Sequence, residues 1–78
     1  MSYIVEMGDI AERHDERTGE NFIYSVRMVN HSGYDEEYVI CVRREGSTEP
    51  AKEIMNLWSS EAQRLADILT GKTEREKQ

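Results

Sequence analysis

Residues 21–30 read NFIYSVRMVN, and this stretch decides the fold more clearly than any other. Its alternate positions are all apolar or aromatic, in the order Phe22, Tyr24, Val26 and Met28. A period of two places alternate side chains on opposite faces of a β-strand. We therefore predict a strand over residues 21–30 that turns one wholly apolar face towards a core.

Two further strands are predicted, one before and one after this stretch. Residues 3–13 open with Tyr-Ile-Val, and residues 36–45 are dense in aromatic and β-branched residues, which favour strands. The connecting segments, 14–20 and 31–35, are short and contain Gly, Asp and Ser, which form turns. Short connections join antiparallel neighbours, so the three strands are predicted to form an antiparallel meander.

The period changes after Pro50. The apolar positions now follow steps of three and four residues: Ala51, Ile54, Met55, Trp58, Ala62, Leu65, Ala66 and Leu69. Such steps form one stripe along an α-helix, and Gly71 is a suitable C-terminal stop. We predict one long C-terminal helix that packs on the apolar face of residues 21–30. The predicted fold class is α+β, a three-stranded sheet followed by a helix.

A second interpretation of the C-terminal region remains open. Ser60 and Gln63 form a capping-box pattern, which marks the start of a helix. Two adjacent serines, Ser59 and Ser60, are also unfavourable inside a helix. The alternative is therefore a fourth short strand over residues 53–58 and a shorter helix over residues 60–70.

The composition predicts a small, acidic, soluble domain. The chain has 78 residues and a formal net charge of -6, which fits one domain over residues 1–71 and a charged tail over residues 72–78. No apolar run is long enough for a transmembrane helix, and residues 1–7 lack the pattern of a signal peptide. The single cysteine, Cys41, fits a reducing compartment. We therefore expect a cytoplasmic protein without membrane contact.

The sequence carries little that suggests catalysis. His14 and His31 flank opposite ends of the central strand, about 30 Å apart by strand geometry, which is too far to share a metal. Cys41 lies among β-branched residues, where a thiol is a buried apolar group rather than a nucleophile. The chain contains no nucleotide-binding loop and no nucleophile elbow. We predict that the protein is not an enzyme and needs no metal or cofactor.

Three surfaces are left for partners, and the first is an edge strand, whose unpaired backbone groups can recruit another chain. One helix covers one sheet face, so Ile23 and Val29 on the other face stay available for contact. The segment after the central strand combines aromatic and acidic residues, as protein-docking loops do. Its residues are Tyr34, Asp35, Glu36, Glu37 and Tyr38. The predicted function is a non-catalytic protein-interaction module, which forms a homodimer or binds, and so inhibits, a basic partner protein.

Nucleic-acid binding is the alternative function. Arg27, Arg43 and Arg44 lie on predicted strands, and three strands followed by a helix resemble the layout of integrase arm-binding and plant ethylene-response domains. With a fourth strand, the layout instead resembles the small single-strand-binding transcriptional coactivators. Both are likenesses of layout alone, and they imply reading of bases through the sheet. The ten acidic residues among residues 1–46 oppose such binding, because they repel phosphate.

Overall fold

The computed structural model describes residues 2–33 and 35–72, which form four strands and one helix. The strands are β1 (Tyr3–Asp15), β2 (Glu20–Asn30), β3 (Glu36–Arg44) and β4 (Lys52–Trp58), and the helix is α1 (Ser59–Thr70). All neighbouring strands are antiparallel, and their order in the sheet follows the chain, β1-β2-β3-β4. The predicted α+β class is confirmed. Tyr34 and residues 73–78, which include most of the predicted tail, lie outside the described residues.

The long helix was the wrong interpretation, and the alternative with a fourth strand is confirmed. Trp58 has extended backbone angles, φ -72° and ψ 163°, and its N–H donates to the Glu61 carboxylate at 2.9 Å. This contact ends the strand and starts the helix, as a capping residue does. The steps of three and four between apolar residues before Trp58 have a local cause. A β-bulge at Ile54 breaks the pairing between Glu53 and Met55, so the strand loses its period of two.

The helix ends where the sequence predicts. Gly71 adopts a left-handed conformation with φ 75°, which glycine tolerates without strain. Its N–H donates to the carbonyl of Ile68, and the N–H of Lys72 donates to the carbonyl of Asp67 at 2.9 Å. These two bonds satisfy carbonyl groups that the end of a helix leaves unpaired.

The cross-strand register divides the sheet into two chemically distinct faces. Val26 pairs with Ile40, whereas Arg27 pairs with Val39, so successive pairs alternate between the faces. We name the first the apolar face, whose apolar residues are Val5, Ala11, Phe22, Tyr24, Val26, Met28, Tyr38, Ile40, Val42, Met55 and Leu57, with the charged residues Arg13, Arg44 and Lys52 at one end. We name the second the polar face: Ile4, Glu6, Asp9, Glu12, Ile23, Ser25, Arg27, Val29, Glu37, Val39, Cys41, Arg43, Glu53, Asn56 and Trp58.

The helix does not lie on the apolar face, which corrects the predicted packing. Of the described strands, α1 contacts β3 and β4 and neither β1 nor β2. None of the residues from Ser59 to Thr70 is buried. The reason is the connection, because α1 follows β4 without an intervening residue. A helix needs a linker to turn back across the sheet that it leaves, and this chain provides none.

A single chain therefore has almost no core. Among residues 2–33 and 35–72, the buried hydrophobic side chains are Val39 and Cys41, and the buried polar one is Ser25. All three lie on the polar face. The chain measures 43 × 41 × 15 Å, the shape of one broad layer. Stable domains bury their apolar surfaces between two packed layers, and the second layer is missing within one chain.

Candidate interaction surface

The apolar face is not covered by any other element of the described chain. Its central side chains, such as Val26, Ile40 and Val42, are half-buried because they pack only against their neighbours on the same face. At the margins, Val5 and Met55 are 38% and 51% exposed. Contiguous exposed apolar patches of more than a few hundred Å² mark interaction sites in soluble proteins.

The helix carries a second unpartnered surface. Its apolar residues lie along one side, and we name them the helix stripe: Ala62, Leu65, Ile68 and Leu69. Leu69 is 75% exposed, and Leu65 and Ile68 are also open to solvent. Because the polar residues Gln63, Arg64 and Asp67 lie on the other side, the helix is amphipathic. An amphipathic helix gains stability mainly by burying its apolar side, and here Leu65, Ile68 and Leu69 on that side are exposed.

Two bulges place further apolar groups at the β1 edge. The register with β2 shifts between Glu6 and Gly8 and again between Asp9 and Ala11. Met7 and Ile10, the residues left out of the pairing, are both more than half exposed. Bulges protect an open sheet edge by interrupting its row of free backbone groups. The edge of β1 is therefore poorly suited to adding a strand from another chain. The apolar face is the better candidate for an interface.

The polar face is organised around Arg27. The Arg27 Nε donates to the Glu6 carboxylate on β1 at 3.0 Å, and another guanidinium nitrogen lies 4.0 Å from Glu53 on β4. Since β3 lies between β2 and β4, the guanidinium crosses over Val39 and Cys41. The side chain is only 22% exposed, so Arg27 both ties the outer strands together and covers the two buried residues.

The other two strand arginines are also paired with carboxylates. Arg43 donates to both oxygens of Asp9 at 3.4 and 3.5 Å, and Arg44 donates to Glu20 at 2.7 Å. An arginine that is already matched to a carboxylate has fewer donors left for a phosphate. The nucleic-acid alternative needs Arg27, Arg43 and Arg44, and all three hold acidic neighbours instead.

The residues predicted to bind partners are divided between the two faces. Ile23 and Val29 lie on the polar face, half-buried, opposite Arg43 and Glu37 respectively. Of the predicted docking loop, Glu37 is on the polar face and Tyr38 on the apolar face. The loop is therefore not one continuous surface, although its acidic residues lie close together.

The acidic residues of that loop mostly serve local contacts. Glu37 pairs with His31 at 2.8 Å and accepts a hydrogen bond from Asn56 at 2.7 Å. Glu36 accepts a hydrogen bond from the Tyr38 hydroxyl at 3.4 Å. Asp35 lines an open cavity of about 540 Å³, together with His31, Trp58, Ser60 and Glu61. Tyr34 is outside the described residues.

The described residues offer little for covalent or metal chemistry. Burial raises the pKa of the Cys41 thiol, and the positive charge of Arg27 opposes this rise. Burial and the neighbouring Glu36 carboxylate raise the pKa of Tyr38. Both groups are thereby held in their neutral forms, which are poor nucleophiles. Within residues 2–33 and 35–72, no group of three or more His, Cys, Asp or Glu side chains could hold a metal ion.

Sequence reasoning missed the apolar face as a site because it assigned the helix to cover it. The signal was present in Phe22, Tyr24, Val26 and Met28, but burial by the chain's own helix was the simpler explanation. The described part of the chain has no helix long and apolar enough to span a membrane. No family model, curated protein or solved structure matches the chain.

Proposed function

We propose that this chain is a cytoplasmic, non-catalytic interaction module that works as a self-associated pair, with its apolar face buried against a second copy. One observation carries the proposal. The whole apolar face is uncovered, while Val39 and Cys41 are the buried hydrophobic residues of the described chain. Burial of apolar surface is the main favourable term in folding, and a single copy obtains little of it. The single free thiol, Cys41, supports a reducing location.

The exposed area supports a partner of the same size. The chain exposes 6433 Å², whereas a compact folded monomer of this mass exposes about 4,900 Å². One source of this surplus is the apolar face, which a second copy can bury. Small domains without a disulfide or metal commonly gain stability by oligomerisation. A second copy therefore accounts for the missing core.

The paired module would present an acidic surface to other proteins. The polar face carries five carboxylates against two arginines, and the chain as a whole has a net charge of -6. Two copies double the net negative charge, which favours encounter with a basic protein and disfavours binding to the phosphate backbone of nucleic acids. Inhibition of a basic partner by occupying its positive surface is the form of binding that this charge supports.

Light scattering after size exclusion tests self-association directly. We expect a molar mass near twice 9.1 kDa that persists as the protein is diluted into the low micromolar range. A mass of 9.1 kDa at all concentrations, with a cooperative unfolding transition, would contradict the proposal.

Nucleic-acid binding is the second candidate, favoured by the four-stranded layout and opposed by the paired arginines. We expect no retention of the protein on immobilised single-stranded DNA at about 150 mM salt, where phosphate contacts still contribute. The control is the triple variant of Arg27, Arg43 and Arg44 to alanine. If the parent protein were retained and the triple variant were not, the nucleic-acid hypothesis would be favoured.

A further inference from the structure

We infer that the two copies exchange helices, so that the helix stripe of each copy lies across the apolar face of the other. This inference rests on the proposed self-association and specifies how it is achieved. Each pair would then contain two equivalent helix-on-sheet cores, related by a two-fold axis.

The first argument is that the helix and the apolar face cannot meet within one chain. The described strands that α1 contacts are β3 and β4, and it follows β4 without a linker. Leu69 at the distal end of the stripe is 75% exposed, and Leu65 is 42% exposed. The helix stripe and the apolar face of one chain are both exposed apolar surfaces. They can bury each other only between two copies.

The second argument is size. A helix of 12 residues is about 18 Å long. Four strands span about 14 Å across their three spacings. The helix stripe is therefore long enough to cross all four strands of the apolar face. Its polar residues, Gln63, Arg64 and Asp67, would remain in water on the outer side of the helix.

The third argument compares the two ways in which copies can pair. Stacking the apolar faces of two sheets directly would bury those faces but leave the distal helix stripe in water. Helix exchange buries the helix stripe of each copy against the middle of the other copy's apolar face, where each helix forms a second layer. It is therefore the arrangement that removes the helix stripe from water, which sheet stacking does not.

The experiment uses two chains that each carry one cysteine in a Cys41→Ala background. One chain carries Leu69→Cys on the helix stripe, and a longer, tagged chain carries Val26→Cys, Ile40→Cys or Val42→Cys on the apolar face. The two chains are mixed by unfolding and refolding together, then oxidised with diamide. Because each chain has one thiol, a disulfide between helix and sheet positions must join two copies, and its mass identifies it.

We expect a helix-to-sheet disulfide in at least one of the three pairings. The matched control is Gln63→Cys, on the opposite side of the same helix, which should give at least tenfold less of that product. A protein that keeps twice the monomer mass but gives no excess over the Gln63→Cys control would overturn helix exchange and leave self-association standing. A monomer mass for the parent would overturn both.

A second variant keeps the inference testable if the cysteine chains fold poorly. Leu69→Asp changes a side chain that is already mostly in water within one copy, so the fold of that copy should tolerate it. In an exchanged pair the aspartate would be buried, and we expect the dissociation constant to rise at least 100-fold. Gln63→Asp should leave it unchanged, and equal effects of the two variants would contradict helix exchange.

Discussion

Ile40→Asp is expected to convert a protein of twice 9.1 kDa into a monomer. Ile40 is central on the apolar face, paired with Val26 on β2 and Met55 on β4. In a single copy the new carboxylate would be partly hydrated, but in the pair it would be buried without a partner. Burying an unpaired charge costs several kcal/mol, and about 2.7 kcal/mol is already a 100-fold weaker association. Light scattering over a dilution series measures the change.

The matched control is Ile23→Asp, which introduces the same charge on the polar face of a neighbouring central strand. Ile23 lies between Glu12 on β1 and Arg43 on β3, on the face that the proposed pair leaves in water. We expect the mass of this variant to remain twice that of the monomer, with circular dichroism confirming that both variants are folded. If Ile23→Asp were a monomer and Ile40→Asp were not, the interface would lie at Ile23 and Val29, the surface that the sequence predicts.

Arg27→Ala is expected to lower the free energy of unfolding by about 1–2 kcal/mol, because the Arg27 side chain is only 22% exposed and packs over two buried residues, whereas its carboxylate partners are mostly exposed. Glu6 and Glu53 would then repel each other without the guanidinium between them. The aliphatic part of Arg27 would also no longer cover Val39 and Cys41, so the free thiol should become open to reagents. Urea denaturation measures the stability, and the rate of thiol labelling in the folded protein should rise at least tenfold.

Arg44→Ala serves as the control for Arg27→Ala. Arg44 also forms a carboxylate pair, at 2.7 Å from Glu20, but its side chain is 50% exposed. Exposed ion pairs contribute about 0–1 kcal/mol, so we expect a small change in stability and no change in thiol labelling. If the two variants labelled Cys41 at the same rate, Arg27 would not be the cover of the polar face.

Much of the sheet was predictable from local patterns. The period of two over residues 21–30 and the β-branched residues of β3 reflect backbone geometry, which acts on each strand separately. Gly71 as the helix stop follows from the same kind of local rule. The start of the helix was harder to predict, because the bulge at Ile54 gives a strand the spacing of a helix.

The candidate surface depended on information that no local pattern contains. The alternation of apolar and polar residues along β2 places Val26 and Arg27 on opposite faces of the sheet. It does not indicate which face another element covers. That depends on whether α1 can return across the sheet, and the absence of a linker after Trp58 prevents it. For this reason the apolar face, rather than Ile23 and Val29, became the candidate for self-association.

The sequence by itself determined the first three strands, the acidic charge and the α+β class, because these follow from residue type and spacing. The tertiary structure alone decided which acidic groups neutralise Arg27, Arg43 and Arg44, since Glu6, Asp9, Glu20 and Glu53 are distant in the chain and meet these arginines only through strand register. It also decided that the helix and the apolar face remain apart within one copy. The strand register, and the direction in which the chain leaves β4 to form α1, are properties of the assembled sheet. No single segment of the sequence encodes them.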